Sequence, residues 1–107
     1  MTYDDKIYNI FWKIEKEAVL EQLIEEAGEL IHATAKQLRI MRKVNPTPIT
    51  RGENIKNLKE EIADVQLCID LAIQSINFYK EKTQKEIELI KQQKLSRWLE
   101  RLGIEEE

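Results

Sequence analysis

Apolar residues return every three or four positions along most of the chain, the period of a helix with a preferred inner side. The first such segment runs from about Lys6 to Met41, and its main stripe is Leu20, Leu23, Ile24, Ala27, Leu30, Ile31, Ala35 and Leu38. The pattern leaves open whether Ile7 to Ile14 forms a separate short helix. Asn45-Pro46-Thr47-Pro48-Ile49-Thr50-Arg51-Gly52 interrupts the periodicity. Its prolines force the preceding residues into extended conformations and Gly52 adds freedom, which predicts a loop. A second segment, about Glu53 to Tyr79, carries Ile55, Leu58, Ile62, Val65, Ile69, Ala72, Ile73 and Ile76 on one side. A third, about Lys82 to Leu102, carries Ile87, Ile90, Leu95, Trp98, Leu99 and Leu102, with Gly103 placed to cap it. These segments predict an all-α protein, an antiparallel helical bundle formed by residues 1–107 as one domain. Apolar residues on both sides of the second helix predict self-association into a homodimer or homotetramer.

Composition agrees with this picture and narrows the function. The 107 residues are 42% apolar and 35% charged, with three Gly and two Pro, a mixture dominated by helix formers. The net charge of −3 arises from interspersed acids and bases, so the chain lacks the basic footprint of a nucleic-acid-binding protein. A lone cysteine, Cys68, excludes both an internal disulfide and a cysteine-rich zinc site. No apolar run approaches the roughly 18 residues of a membrane span. The first residues lack a basic stretch followed by an apolar one, and the expected compartment is a reducing cytoplasm.

The chemistry lies in two acidic clusters, Glu25-Glu26-Ala27-Gly28-Glu29 and Glu61-Ile62-Ala63-Asp64. Glu26 and Glu29 share one side of their helix, as do Glu61 and Asp64. In an antiparallel pair, four carboxylates can converge, and their mutual repulsion is relieved by protons or by a divalent cation. An all-oxygen donor set favours Mg²⁺, Mn²⁺ or Ca²⁺, and Mg²⁺ in particular takes phosphate oxygens as further ligands. Acids at helical spacing are more often a solvated face, and Glu29 lies almost opposite the apolar stripe of its own helix. Against that, the side bearing Glu26 and Glu29 continues into Ala33 and Ile40, and the side bearing Glu61 and Asp64 into Cys68, Leu71 and Phe78. Such a face suits burial against a partner. The residues alone leave a metal site and a solvated face about equally open.

Leu23-Ile24-Glu25-Glu26-Ala27-Gly28-Glu29-Leu30 and Glu60-Glu61-Ile62-Ala63-Asp64-Val65 resemble the signature of the MazG-like all-α nucleoside triphosphate pyrophosphohydrolases, over roughly Glu17 to Leu102. The Asn45–Pro48 loop and Lys94-x-x-Arg97 resemble small phage or prophage-type members. The resemblance implies that Glu26, Glu29, Glu61 and Asp64 bind Mg²⁺, with Mn²⁺ as a substitute. It also implies that Glu25 orients or deprotonates an attacking water, and that a (d)NTP is cleaved at the α-phosphorus to (d)NMP and pyrophosphate. Homo-oligomeric assembly is implied as well. Two departures stand out: a long stretch of 31 residues between Glu29 and Glu61, and Val19 where many relatives carry Gln. Lys94 and Arg97 are the expected triphosphate-binding cations among several on the chain, the others being Lys36, Arg39, Arg42, Lys43, Lys91 and Arg101.

A non-enzymatic helical interaction protein is the competing reading. Glu29-x-x-His32 is half of a di-iron ligand pattern, but Asp64 stands where the second half needs His. His32 is therefore expected at the surface. Cys68 is expected to be a small buried hydrophobe. Tyr8, Phe11, Trp12 and Trp98 are expected in core or subunit contacts, with stacking on a base as the alternative.

Overall fold

A computed structural model describes residues 1–43, 50–76 and 80–106. These form four helices: α1 Tyr3–Lys13, α2 Lys16–Arg42, α3 Arg51–Ile76 and α4 Lys80–Arg101. The protein is all-α.

Local chemistry marks the helix ends. Thr2 Oγ1 accepts from the Asp5 N–H and Asp5 Oδ2 accepts from the Thr2 N–H, a reciprocal capping box that starts α1. Between α1 and α2, Ile14 and Glu15 are extended. Ile7 to Lys13 therefore belongs to a separate helix, which ends at Ile14 and buries Ile7 and Phe11. Thr50 Oγ1 accepts from Glu53 N–H, and α3 starts at Arg51. Arg51 and Gly52 thus belong to the first turn of α3 rather than to the expected loop. Asn45–Ile49, Phe78 and Tyr79 fall outside the described residues. Gly103 adopts φ +71°, its N–H donating to Glu100 O while Ile104 N–H donates to Leu99 O. That pair of bonds is the Schellman end expected of this glycine.

The helices α2 and α3 form the main packed pair and run antiparallel. Asn54 meets Ala33 and Gln37, and Glu61 lies beside Glu29. At the other end Ile7, Val19, Leu71 and Ala72 form a small core, with Leu23 packed against it. Val19 is 1% exposed, so this departure from the family pattern is a core residue. Tyr3 Oη donates to Asp70, and Lys80 Nζ pairs with Asp4 Oδ1 at 2.7 Å, fastening α1 to the ends of α3 and α4.

The packed side of α2 differs from the stripe read as its inner face. Ala33 is buried and Leu23, Ala27 and Leu30 are half-buried, whereas Leu20, Ile24, Ile31, Ala35 and Leu38 are exposed. Ile24 and Ile31 are 74% and 70% exposed. The acid-bearing side of α2 faces α3, and the more apolar side is left open. On α4, Ile90, Leu95 and Trp98 are likewise exposed, as is Leu102 just past its end. The accessible surface is 8852 Å² for 12.7 kDa, against about 6200 Å² for a compact monomer of that mass. The radius of gyration is 17.5 Å, against about 13 Å for a compact chain of this length.

Candidate metal centre

Two heptad-spaced rows build the site. On α2 the row is Glu26, Ala33 and Ile40; on α3 it is Asn54, Glu61 and Cys68. Seven residues make almost two turns, so each row stays on one side of its helix. Ala33, Asn54 and Cys68 are buried, Ile40 is half-buried, and this packing sets the carboxylates between them face to face.

Carboxylate oxygens of Glu26, Glu29 and Glu61 lie within 4.8 Å of one another. Gln22 Nε2 donates to Glu26 Oε1 at 2.9 Å and orients that carboxylate. The second oxygen of Glu26 and one oxygen of Glu61, both Oε2, are buried without a hydrogen-bond partner among the described residues. Carboxyl groups crowded in this way are relieved by a proton shared between them, as between Glu29 and Glu61, or by a cation. The electrostatics say the same. Desolvation first, then the charges of Glu29 and Asp64, raises the pKa of Glu26 above the usual carboxylate value. The charge of Glu61, followed by desolvation, raises that of Glu29. Crowded acids with no ion-pair partner among the described residues form a donor set suited to a hard divalent ion.

The expected residues do not all stand in this group. Asp64 is exposed and outside the trio, yet near enough for its charge to raise Glu26 and Cys68. Glu25 is exposed beside the trio, and its charge also reaches Glu29. Lys94 and Arg97 are exposed on α4 and form no ion pair with the acids among the described residues. Cys68 is buried one turn beyond Asp64, and burial pushes its thiol pKa up, as befits a packing residue. His32 is exposed, as are Tyr8, Trp12 and Trp98, while Phe11 is buried.

Sequence reading passed over Gln22, Asn54 and Asn57. Gln22 is one turn before Glu26, the spacing of a side-chain bond along a helix. Asn54 continues the Glu61–Cys68 row in the other direction, so the heptad spacing was the available signal. With Glu29, His32, Ala33, Lys36, Asn57 and Glu61, Asn54 lines a pocket of about 360 Å³ that opens beside the acids.

Comparison with known families decides what this arrangement belongs to. A family model for the MazG nucleotide pyrophosphohydrolase domain matches residues 14–96. The chain belongs to the MazG family. No curated protein and no solved structure matches it. The matched span holds both acidic motifs and all of α2 and α3, together with most of α4. A nucleotide substrate and pyrophosphohydrolase chemistry are thus the family context in which these acids stand.

Proposed function

We propose that the protein is a Mg²⁺-dependent nucleoside triphosphate pyrophosphohydrolase, converting a (d)NTP to its monophosphate and pyrophosphate. The observation that carries this reading is the meeting of Glu26, Glu29 and Glu61, with two oxygens buried and unpartnered among the described residues. Glu26, Glu29 and Glu61 hold the ion, with Asp64 joining from the exposed end of the same face. Mn²⁺ can replace Mg²⁺ on such oxygens. The ion supplies charge neutralisation at the α- and β-phosphoryl oxygens and lowers the pKa of a water.

The chain's own residues supply position. Gln22 holds Glu26 by one oxygen, leaving the other for the ion. Glu25, exposed next to this group, orients the attacking water and accepts its proton. Water oxygen bonds to the α-phosphorus as the bond from that phosphorus to the α,β-bridging oxygen breaks, and pyrophosphate leaves with the bridging oxygen. Lys94 and Arg97 are the cations assigned to the triphosphate. They stand apart from the acids within one chain, so a neighbouring copy is the natural route by which they reach it. The exposed stripe of α2 and the surface excess support a homodimer or homotetramer.

The test is pyrophosphate release, screened over ordinary and modified nucleoside triphosphates with Mg²⁺. The wild type should release pyrophosphate from at least one. Glu29→Gln and Asp64→Asn should each lower the rate more than about a hundredfold, beyond the 10–100-fold typical of outer-shell changes. Their helical circular dichroism should be unchanged. Full activity in a folded double variant would refute the assignment.

A further inference from the structure

The charges of α2 fall in two blocks. Residues 17–29 carry five Glu and no Lys or Arg, and residues 30–43 carry Lys36, Arg39, Arg42 and Lys43 with no Asp or Glu. Along the side turned away from α3 runs the open stripe of Leu20, Ile24, Ile31, Ala35 and Leu38. Glu17 and Glu21 border that stripe at one end, Arg39 and Arg42 at the other. All four are exposed, and none has an ion-pair partner among the described residues. The helix dipole accounts for an acid in the first turn and for bases in the last, but Glu21 and Glu25 lie beyond its reach.

Gly28 stands midway along the same stripe, in the interior of the helix, where glycine is disfavoured relative to alanine. A Cβ there would meet nothing within 4 Å among the described residues. Packing within one chain therefore gives no reason for this glycine, whereas the close approach of a second surface does. Room for such a surface exists. The 8852 Å² of accessible area exceeds that of a compact monomer by far more than the roughly 800 Å² each partner of a standard interface buries.

A second α2, antiparallel and related by a two-fold axis crossing the helix between Glu29 and Leu30, meets all of these features in one register. Counted equally outward from that axis, Gly28 receives the partner's Ile31, and Ile24 lies against the partner's Ala35. Each time a large side chain faces a small one. Toward the ends Glu17 meets the partner's Arg42 and Glu21 lies beside the partner's Arg39, every pair occurring twice by symmetry. A parallel pairing in register would set Glu against Glu and Arg against Arg.

We infer that the open stripe of α2 is a two-fold seam between two copies of this chain, antiparallel and centred on Gly28 and Ile31, with Glu17 and Glu21 of each copy facing Arg39 and Arg42 of the other. The inference rests on the self-association read above and adds its surface, direction and register. It makes no use of the acid cluster, so mass rather than activity tests it.

The experiment is light scattering over a concentration series, with circular dichroism as the check on folding. One variant combines Glu17→Arg with Glu21→Arg, and a second combines Arg39→Glu with Arg42→Glu. Each alone should fall to half the wild-type mass, because like charges then oppose each other at both ends of the seam. Mixed one to one, the two should return to the wild-type mass, since every acid again meets a base. Gly28→Leu should keep its helical signal and raise the dissociation constant about tenfold or more, as overpacking of a close contact does. This variant carries the test if a charge variant loses its helices. Charge variants that keep the wild-type mass, a mixture that stays at half mass, or unchanged association of Gly28→Leu each overturn the seam and leave self-association standing. A wild type that is a monomer at every concentration overturns both.

Discussion

Glu26 and Glu29 are held against their ordinary chemistry. Both have raised pKa values in the metal-free protein, Glu26 chiefly by desolvation and Glu29 chiefly by the charge of Glu61. A carboxyl group whose folded pKa exceeds its unfolded one binds more protons when folded, so stability falls as pH rises from the ordinary carboxylate value through the raised one. Metal-free protein should thus gain thermal stability as pH is lowered into that window, and Glu29→Gln should flatten the dependence. At pH 7 without metal the variant should melt above wild type, because a like charge has been removed. With Mg²⁺ or Mn²⁺ at about a hundred times its Kd, wild type should gain about 2.7 kcal/mol, and the variant much less. Scanning calorimetry of both proteins, with and without metal, checks all three expectations. The acid pairs were legible because their helical spacing repeats on both helices. Asn54 was not, since a single amide on a helix reads as surface until the partner helix covers it.

At the scale of elements, the packing of α1 is the feature on which the core depends. Ile7 is 1% exposed and sits with Val19, Leu71 and Ala72. Truncating it to Ala should cost about 2–5 kcal/mol, read from the urea midpoint of the metal-bound protein. Thr2→Ala, which removes one arm of the capping box, should cost about 1 kcal/mol. A loss for Ile7→Ala no larger than for Thr2→Ala would show that α1 is only loosely docked. Three- and four-residue periodicity made the long helices legible and Gly103 the end of α4, whereas the start of α3 at Arg51, two residues before the expected one, was not. The break at Ile14–Glu15 was not, because no Gly or Pro stands there and Glu15 makes no side-chain cap. That break follows from burial of Ile7 and Phe11, a tertiary demand rather than a local one.

For the whole molecule, the decisive contrast is between the two sides of α2. The sequence shows a strongly apolar stripe and a mixed acidic side, and periodicity alone assigns the stripe to the core. Folding instead places the acids, flanked by Ala33 and Ile40, against α3, and Ile24 and Ile31 stay open. Which apolar side meets the same chain and which meets another is not encoded in the period. The open stripe, with a surface well above that of a compact monomer, predicts self-association. Light scattering at micromolar concentration should give a mass that is a multiple of 12.7 kDa. The paired change Ile24→Lys with Ile31→Lys should shift it toward the single chain. A monodisperse monomer in wild type would contradict the oligomer and leave Lys94 and Arg97 without a route to the triphosphate.

Everything chemical in this account depends on oxygen atoms from two helices sharing a divalent ion. Titration of the metal-free protein with Mn²⁺, followed by the electron paramagnetic resonance signal of the free aquo ion, tests that directly. Wild type should remove Mn²⁺ from solution, and Glu29→Gln and Glu61→Gln should leave most of it free. Equal uptake by both folded variants and by wild type would contradict the centre.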